Sequence, residues 1–316
     1  MSRLRQRLKL LPLLVLIGCG GATAAAYAGH WHWLLELFSH FRLQYIAAAI
    51  LLAVFYTWQR QFLGLGVAVI CAGLNIVPIA TVIASDLDPP RAKNNETLVL
   101  LSANLNDSNS NVGAVLSQVA TERPDVVVLQ EYTLRWADDL AELQTQYPHH
   151  FQLPRDGSFG LALYSRWPLV SAEAIALGRS TPAIVAELAT SSGSLMIIGV
   201  HLLSPLTAAR AAQQTRQFAA LTELIANVDI PVAVVGDFNA TPWSPTFRHW
   251  TRTAGMRKGP YGQQFTYTWP TSLPLLWIPI DTCVVNGGLE ILAHRRGSHI
   301  GSDHYPFITT LVTNHD

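Results

Sequence analysis

An α/β fold with mixed sheets, preceded by three apolar helices, is what this sequence predicts. Three observations carry that expectation. The first 90 residues hold long uncharged runs. From Glu96 onward, short β-branched runs alternate with amphipathic stretches. Two of the strand-like runs are joined by a turn short enough for a hairpin, which a purely parallel doubly wound sheet does not contain. Two sheets face to face with helices outside fit the number of elements.

The apolar helices come first. Leu10–Ala28 is a run of 19 residues without a charge, Leu43–Trp58 one of 16 and Leu63–Ala84 one of 22. About 20 helical residues cross a bilayer core, so the first and third suffice and the second is short. Trp31, Trp33, Tyr45 and Trp58 flank the runs, where amphipathic rings favour the interface. Asn75 and Pro78 in the third run read as satisfied by a neighbouring helix. Leu16-Ile17-Gly18-Cys19 resembles a bacterial lipoprotein processing site, but the run continues to Ala28, as a retained helix would. Arg3, Arg5, Arg7 and Lys9 precede the first run and Arg60 lies in the second turn, whereas residues 29–42 carry only Arg42. Basic residues stay inside, so a cytoplasmic N-terminus, three crossings and a C-terminal part on the non-cytoplasmic side are expected. Asp86–Asn95, with two prolines, four charges and two asparagines, reads as an exposed linker.

Beyond the linker, Thr97–Ala103 has a buried-strand pattern. Val112, Val115, Leu116 and Val119 follow helical spacing, with Ser110 or Asn111 as cap. Asp125–Gln130 is a second strand, and Trp136, Leu140 and Leu143 mark a second helix. Gly160–Ser165, Ala183–Thr190 and Leu195–His201 read as strands, the last two joined by the Ser191–Ser194 turn. Pro205 opens a helix in which Gln214, Phe218, Leu221 and Ile225 share a face. A strand at Val232–Gly236, a short helix near Phe247–Trp250 and strands near Asp281–Val285, Leu289–Ala293 and Pro306–Val312 complete the order. The apolar run Thr271–Pro279 reads as core packing ahead of a lip facing a membrane surface.

Charge narrows the function. Of 21 basic and 21 acidic residues, six and three fall in residues 1–90, leaving a net of about −3 for the remainder. A nucleic-acid binder usually shows a basic surplus, and this part does not. Cys283 is its one cysteine, so it contains no internal disulfide.

Costly polar residues recur at the strand ends: Asn104 (LLSANLN), Glu131 (PDVVVLQE), His201 (MIIGVHL), Asp237 and Asn239 (VAVVGDFN), Asp281 (PIDTCVV) and Asp303-His304 (GSDHYPF). Each alone has an ordinary explanation, since Asp and Asn after a strand form turns and a lone His is usually a satisfied surface or core group. Together, four acidic residues, two asparagines and two histidines make the inventory of an oxygen-ligated metal with acid–base groups.

The ordered series N-L-N, L-Q-E, H-L, G-D-F-N, I-D and S-D-H resembles the endonuclease/exonuclease/phosphatase superfamily, over about Glu96 to Val312. That superfamily includes pancreatic-type DNases, abasic-site nucleases, inositol-polyphosphate phosphatases and bacterial sphingomyelinases. GDFN and SDH, in order behind LQE, are the specific part of the match. GLALYSRWPL and GDFNATPWSPTFRHW look most like bacterial membrane-associated members. The resemblance implies a DNase-I-like four-layer α-β-β-α sandwich. With the apolar runs and the linker it divides the chain into a membrane anchor at 1–85, a linker at 86–95 and a catalytic domain at 96–316, expected in a bacterial cytoplasmic membrane. Many relatives follow the I-D aspartate with His or Tyr, whereas Thr282 and Cys283 stand here, which implies a changed substrate contact.

By the same resemblance, Glu131 would hold a divalent ion, Mg2+ or alternatively Mn2+, with Asn104 and Asp303 close by. Asp237 would orient or deprotonate the attacking water, and Asn239 would donate to a phosphoryl oxygen. Asp281 would hold His304 as an acid–base dyad, and His201 would protonate the leaving group. The expected partners are the lipid bilayer and a phosphate-ester substrate, either nucleic acid or a lipid-linked phosphate; no obligate protein partner is inferable. The alternative, a non-catalytic membrane protein using the fold for binding, would be signalled by loss of Glu131, Asp237 or His304, and all three are present.

Overall fold

The structure, a computed structural model, describes residues 2–84, 97–178, 181–191, 193–259 and 265–313. The expected linker and the Ser192 position of the hairpin turn lie outside the described residues. The chain divides into two compact units, one holding residues 1–85 and the other nearly all of 86–316.

In the first unit, α1 (Ser2–Tyr27) is followed by a short α2 (Trp33–Glu36), then α3 (Arg42–Trp58) and α4 (Phe62–Ala84). Three helical runs, Leu10–His30, Trp33–Trp58 and Phe62–Ala84, are long and apolar enough to cross a membrane. The second is not short. Helix starts at Trp33, where the His32 ring caps Leu34 N, and a 3-10 segment carries it into α3, giving 26 residues. Three helices share one buried polar network. Arg42 Nη1 donates to Asn75 Oδ1 (3.2 Å) and Nη2 to the Ala26 carbonyl (3.2 Å). Asn75 Nδ2 donates to Thr23 Oγ1 (2.8 Å) and the Cys71 carbonyl (2.9 Å), so neighbouring helices do satisfy the amide.

The second unit holds β1 (Thr97–Asn104), α5 (Val112–Glu122), β2 (Val126–Gln130), α6 (Leu134–Asp139), α7 (Leu143–Gln146), β3 (His149–Leu153), β4 (Leu161–Ser165) and β5 (Leu169–Leu177). There follow β6 (Thr181–Thr190), β7 (Gly193–His201), α8 (Ala208–Ala226), β8 (Val232–Asp237), α9 (Pro245–Thr253), β9 (Asp281–Val285), β10 (Leu289–Arg296) and β11 (Phe307–Thr313). The described strands form a six-stranded sheet, β10-β11-β1-β2-β4-β3, and a five-stranded sheet, β5-β6-β7-β8-β9.

The period-2 alternation of side chains builds the layers. Leu98 and Leu100 of β1, Val126 and Val128 of β2, Ile197 of β7, and Ala233 and Val235 of β8 meet in the core between the sheets. Their neighbours turn outward. Leu101, Val127 and Leu129 pack with Val115 and Val119 of α5 and Trp136 of α6. Ile198, Val200, Val232 and Val234 pack against Phe218, Leu221 and Ile225 of α8 and Phe247 and Trp250 of α9. The result is the four-layer α-β-β-α sandwich.

Several local expectations change. The second helix breaks into α6 and α7, with Leu140 closing the first. The long helix starts at Ala208, not Pro205, because Thr207 Oγ1 caps it by accepting from Arg210 N. Edge strands β3 and β5 have no counterpart in the sequence reading. Cys283 lies in the inter-sheet core, so that position is packing and not a substrate contact. The Thr271–Pro279 run is also not simply core: Leu273, Leu275 and Leu276 are exposed, while Ile278 is buried.

Candidate active site

Topology brings the polar strand ends together. β1 and β2 are parallel, with Asn104 opposite Gln130; β7 and β8 are parallel, with His201 opposite Asp237. β9 runs antiparallel to β8, so Asp281 at its start lies opposite Asp237. β11 runs antiparallel to β1, which puts the Asp303-His304 loop beside the end of β1. Two sheets thus deliver their ends to one edge. Gly236 permits the close β7–β8 approach at that edge. Its φ is +140°, and a Cβ there would stand 2.0 Å from the Val200 carbonyl oxygen.

Asp237 Oδ2 is the centre of the cluster. It lies 3.4 Å from His201 Nε2, 3.8 Å from His304 Nε2, 3.2 Å from Asn239 Nδ2 and 3.4 Å from Asn104 Nδ2. Oδ1 accepts from Asn239 N (2.8 Å). His304 Nδ1 donates to Asp281 Oδ2 (2.8 Å), giving a buried Asp281–His304–Asp237 chain. Burial disfavours a charged imidazole, but Asp281, then Asp237, push the His304 pKa upward to about 10. Burial and the Asp281 charge push the Asp237 carboxyl up, to about 6, against the pull of His304 and His201.

His201 Nδ1 faces the Ser158 carbonyl at 2.8 Å and must carry a hydrogen there. Its Nε2 then meets Asp237 Oδ2 favourably only when a proton sits between them. Asn239, held at φ +48°, commits both amide hydrogens, one to Asp237 Oδ2 and one to the Leu202 carbonyl (2.9 Å). In this arrangement it orients Asp237, and the expected phosphoryl-oxygen donor is already engaged.

The expected metal ligands sit around the loop that follows β1. Asn104 Nδ2 donates to Glu131 Oε1 (3.1 Å) and Asp107 N to Glu131 Oε2 (3.0 Å). Asn106 Nδ2 donates to Asp303 Oδ1 (2.6 Å) and Trp269 Nε1 to Asp303 Oδ2 (3.1 Å). Burial raises the Asp303 pKa, but the His304 charge and these two donors outweigh it and leave the carboxyl below its usual range. Each carboxylate oxygen keeps a second lone pair, and an all-oxygen set suits a hard divalent cation. Asn104 turns its nitrogen to Glu131 and Asp237, and its Oδ1 accepts from Asn106 N (3.0 Å), so it links those two acids as a donor.

Asp237, Asp281 and His304 also bring ligand atoms within 4.8 Å of one another. Asp281 occupies His304 Nδ1, and an imidazolium between two acids repels a cation. The trio offers two carboxylates and an imidazole, and the carboxylates of Glu131 and Asp303 offer oxygen ligands alone.

Sequence reasoning missed Asn106, Trp269 and Ser302. Ser302 Oγ donates to the Asn104 carbonyl (2.8 Å) and accepts from His304 N (3.0 Å), coupling the two loops. Asn106 was legible as the second asparagine of N-L-N, a residue type that tolerates left-handed backbone. Among the described residues five non-glycines have positive φ, and Asn106, Glu131 and Asn239 are three of them. Such strain, of order 1–3 kcal/mol each, collects at functional sites.

Residues 101–304 match the Endonuclease/Exonuclease/phosphatase family. Among solved structures, D. rerio TDP2 complexed with single strand DNA product is 18% identical with a TM-score of 0.58, over 69% of this chain and 100% of that one. An endonuclease/exonuclease/phosphatase family protein from Bacteroides thetaiotaomicron is 15% identical with a TM-score of 0.58, over 71% and 100%. SmcL is 18% identical with a TM-score of 0.56, over 69% and 99%. At these identities the likeness is one of fold. No curated protein sequence matches the chain.

Proposed function

The chain belongs to the endonuclease/exonuclease/phosphatase family, whose members hydrolyse phosphoester bonds, and from that premise we propose a membrane-anchored, divalent-metal-dependent phosphoesterase. The observation that carries the reading is the convergence of His201, His304, Asn104 and Asn239 on Asp237 Oδ2, with Asp281 behind His304.

Glu131, with Asp303 and Asn104 beside it, would hold Mg2+ or Mn2+, which supplies Lewis-acid charge to a phosphoryl oxygen. The protein groups do the rest. Asp237, its pKa lifted toward neutrality, takes a proton from water. The water oxygen bonds to phosphorus, the phosphorus–oxygen bond to the leaving group breaks, and His201 gives its proton to the departing oxygen. His304, kept protonated by Asp281, offsets negative charge building on the phosphoryl group.

Three apolar runs near the N-terminus support the anchor. The basic residues at positions 3–9 and at 60 support a cytoplasmic N-terminus and a catalytic domain on the non-cytoplasmic side of a bacterial membrane. The substrate is a phosphate ester, with nucleic acid and lipid-linked phosphate as the two classes. The DNA product bound by D. rerio TDP2 favours the first, whereas the net charge of about −3 and the apolar anchor favour the second.

The test is turnover of a soluble aryl phosphodiester by the full chain, with chelator and then with restored Mg2+. Chelator-sensitive turnover lost in Asp237→Asn and His304→Gln supports the assignment. Full activity in both variants would overturn it.

A further inference from the structure

We propose that the Leu273–Trp277 lip seats in the lipid–water interface and presents to the active site a phosphoester carried by a lipid of that bilayer. The inference rests on the phosphoesterase reading and names its substrate class.

Leu275 is 80% exposed, Leu273 45% and Leu276 40%, at the tip of a segment, residues 271–280, that contains no charged residue. A soluble surface rarely presents such a cluster without a partner. Backbone hydrogen bonds define the tip. Leu276 N donates to the Leu273 carbonyl (2.9 Å), and below it Ile278 N donates to the Trp269 carbonyl (2.7 Å). The base is tied to the catalytic loop: Thr271 N donates to the Asp303 carbonyl (2.9 Å), Thr271 Oγ1 to the Ser302 carbonyl (3.0 Å) and Trp269 Nε1 to Asp303 Oδ2.

Directly after the leucines comes an aromatic–cationic layer. Trp277 stacks on Tyr267 with centroids 6.4 Å apart, and Arg296 lies 4.7 Å over Trp277 and 4.2 Å over Tyr305. Tyr305 follows His304 in the chain. Leucines at the tip, then Trp, Tyr and Arg, reproduce the order in which an interfacial element meets acyl chains and then headgroup phosphates. The anchor proposed from the three apolar runs would also keep a bilayer at hand. A nucleic acid would gain nothing from three exposed leucines and would meet a net negative domain.

The experiment uses the full chain in phosphatidylcholine vesicles. Cys19, Cys71 and Cys283 are buried, so a nitroxide on Leu275→Cys reports the lip against an unaltered control. Collision with oxygen in preference to a water-soluble nickel complex supports the proposal, and nickel access typical of open water overturns it. In parallel, hexadecyl 4-nitrophenyl phosphate in the vesicles is compared with methyl 4-nitrophenyl phosphate in solution. The unaltered chain is expected to favour the long-chain ester by roughly 10-fold or more, and Leu275→Ser/Leu276→Ser to erase that preference without changing turnover of the methyl ester. A preference that survives the double substitution, or single-stranded DNA cleaved faster than either ester, overturns the proposal. Failure to turn over any ester with Mg2+ present would sink the phosphoesterase reading instead, and the nitroxide would still decide the lip.

Discussion

Asp237 Oδ2 is where this chain concentrates its unfavourable electrostatics: a buried carboxylate oxygen with Asp281 nearby and two imidazole nitrogens within 3.8 Å. Asp281, whose Oδ2 accepts from His304 Nδ1, and then Asp237 push the His304 pKa upward, and a charged His304 offsets the two acids it lies between. Asp281→Asn is therefore expected to lower turnover by about 10²-fold or more while leaving the far-UV spectrum unchanged; wild-type turnover in that variant would remove His304 from the charge chain. Glu131→Gln keeps the size of the side chain but removes the anion and leaves one of its two donors, Asn104 Nδ2 or Asp107 N, facing an amide nitrogen that cannot accept, so Mn2+ affinity measured by calorimetry should fall by roughly 10- to 100-fold. An unchanged isotherm would send the ion elsewhere. His294 offers a pH test away from the site. It is buried, meets Thr309 Oγ1 at 3.0 Å, and its pKa is lowered by burial to about 3. Its unfolded value is 6.5, so below that pH the unfolded chain binds a proton that the folded chain refuses. Stability from this residue is complete above pH 6.5 and is lost as pH falls toward 3, at up to about 1.4 kcal/mol per pH unit. Denaturant midpoints between pH 7 and 5 should therefore slope less in His294→Asn than in the unaltered chain; parallel lines would refute it.

At the scale of elements, α8 does more than cover a sheet. Gln214 is buried, and its Nε2 donates to the Phe238 (3.2 Å) and Asn239 (3.3 Å) carbonyls, while Gln217 Oε1 accepts from Leu203 N (3.0 Å). The helix thereby holds the loops after β7 and β8, including the left-handed turn at Asn239. Gln214→Ala is expected to reduce kcat by roughly 10- to 100-fold through misplacement of Asp237, with KM little changed; an effect on KM alone would mean the helix positions substrate instead. The face that carries Gln214 was readable from the spacing of Gln214, Phe218, Leu221 and Ile225, since helical periodicity survives a polar residue. Strands β1, β2, β6, β7 and β8 were legible for a related reason: both faces are buried, so they read as continuous apolar runs. Edge strands β3 and β5 were not. β5 is largely solvent-facing, and its Ser-Ala-Glu-Ala stretch has neither alternation nor β-branched density. The site was half legible. Charged strand ends announce themselves, whereas Trp269 and Ser302 act through hydrogen bonds across 34 and 198 residues of chain, which spacing does not reveal.

At the scale of the whole molecule, the proposed anchor bears on which compartment the chemistry serves, since three helical runs are long and apolar enough to cross a membrane. Were all three to cross, the two ends of the anchor would lie on opposite faces, and the charge bias of the turns would set the location of the catalytic unit. Counted on sequence alone, Arg42 weakens the bias, because it falls on the side opposite Arg60. The structure removes it from the count: Arg42 is buried, its guanidinium spent on Asn75 Oδ1 and the Ala26 carbonyl. It is a packing group among helices and not a loop charge facing anionic headgroups. The proposed orientation then rests on Arg3, Arg5, Arg7, Lys9 and Arg60. Two exposed positions give the test, Gln61 between the second and third spans and Thr145 on α7. With the native cysteines buried, a membrane-impermeant maleimide added to intact spheroplasts should label Thr145→Cys at once and Gln61→Cys only after the membrane is opened. The reverse pattern would place the catalytic unit in the cytoplasm. It would also show that the bias is set by something other than these five basic residues.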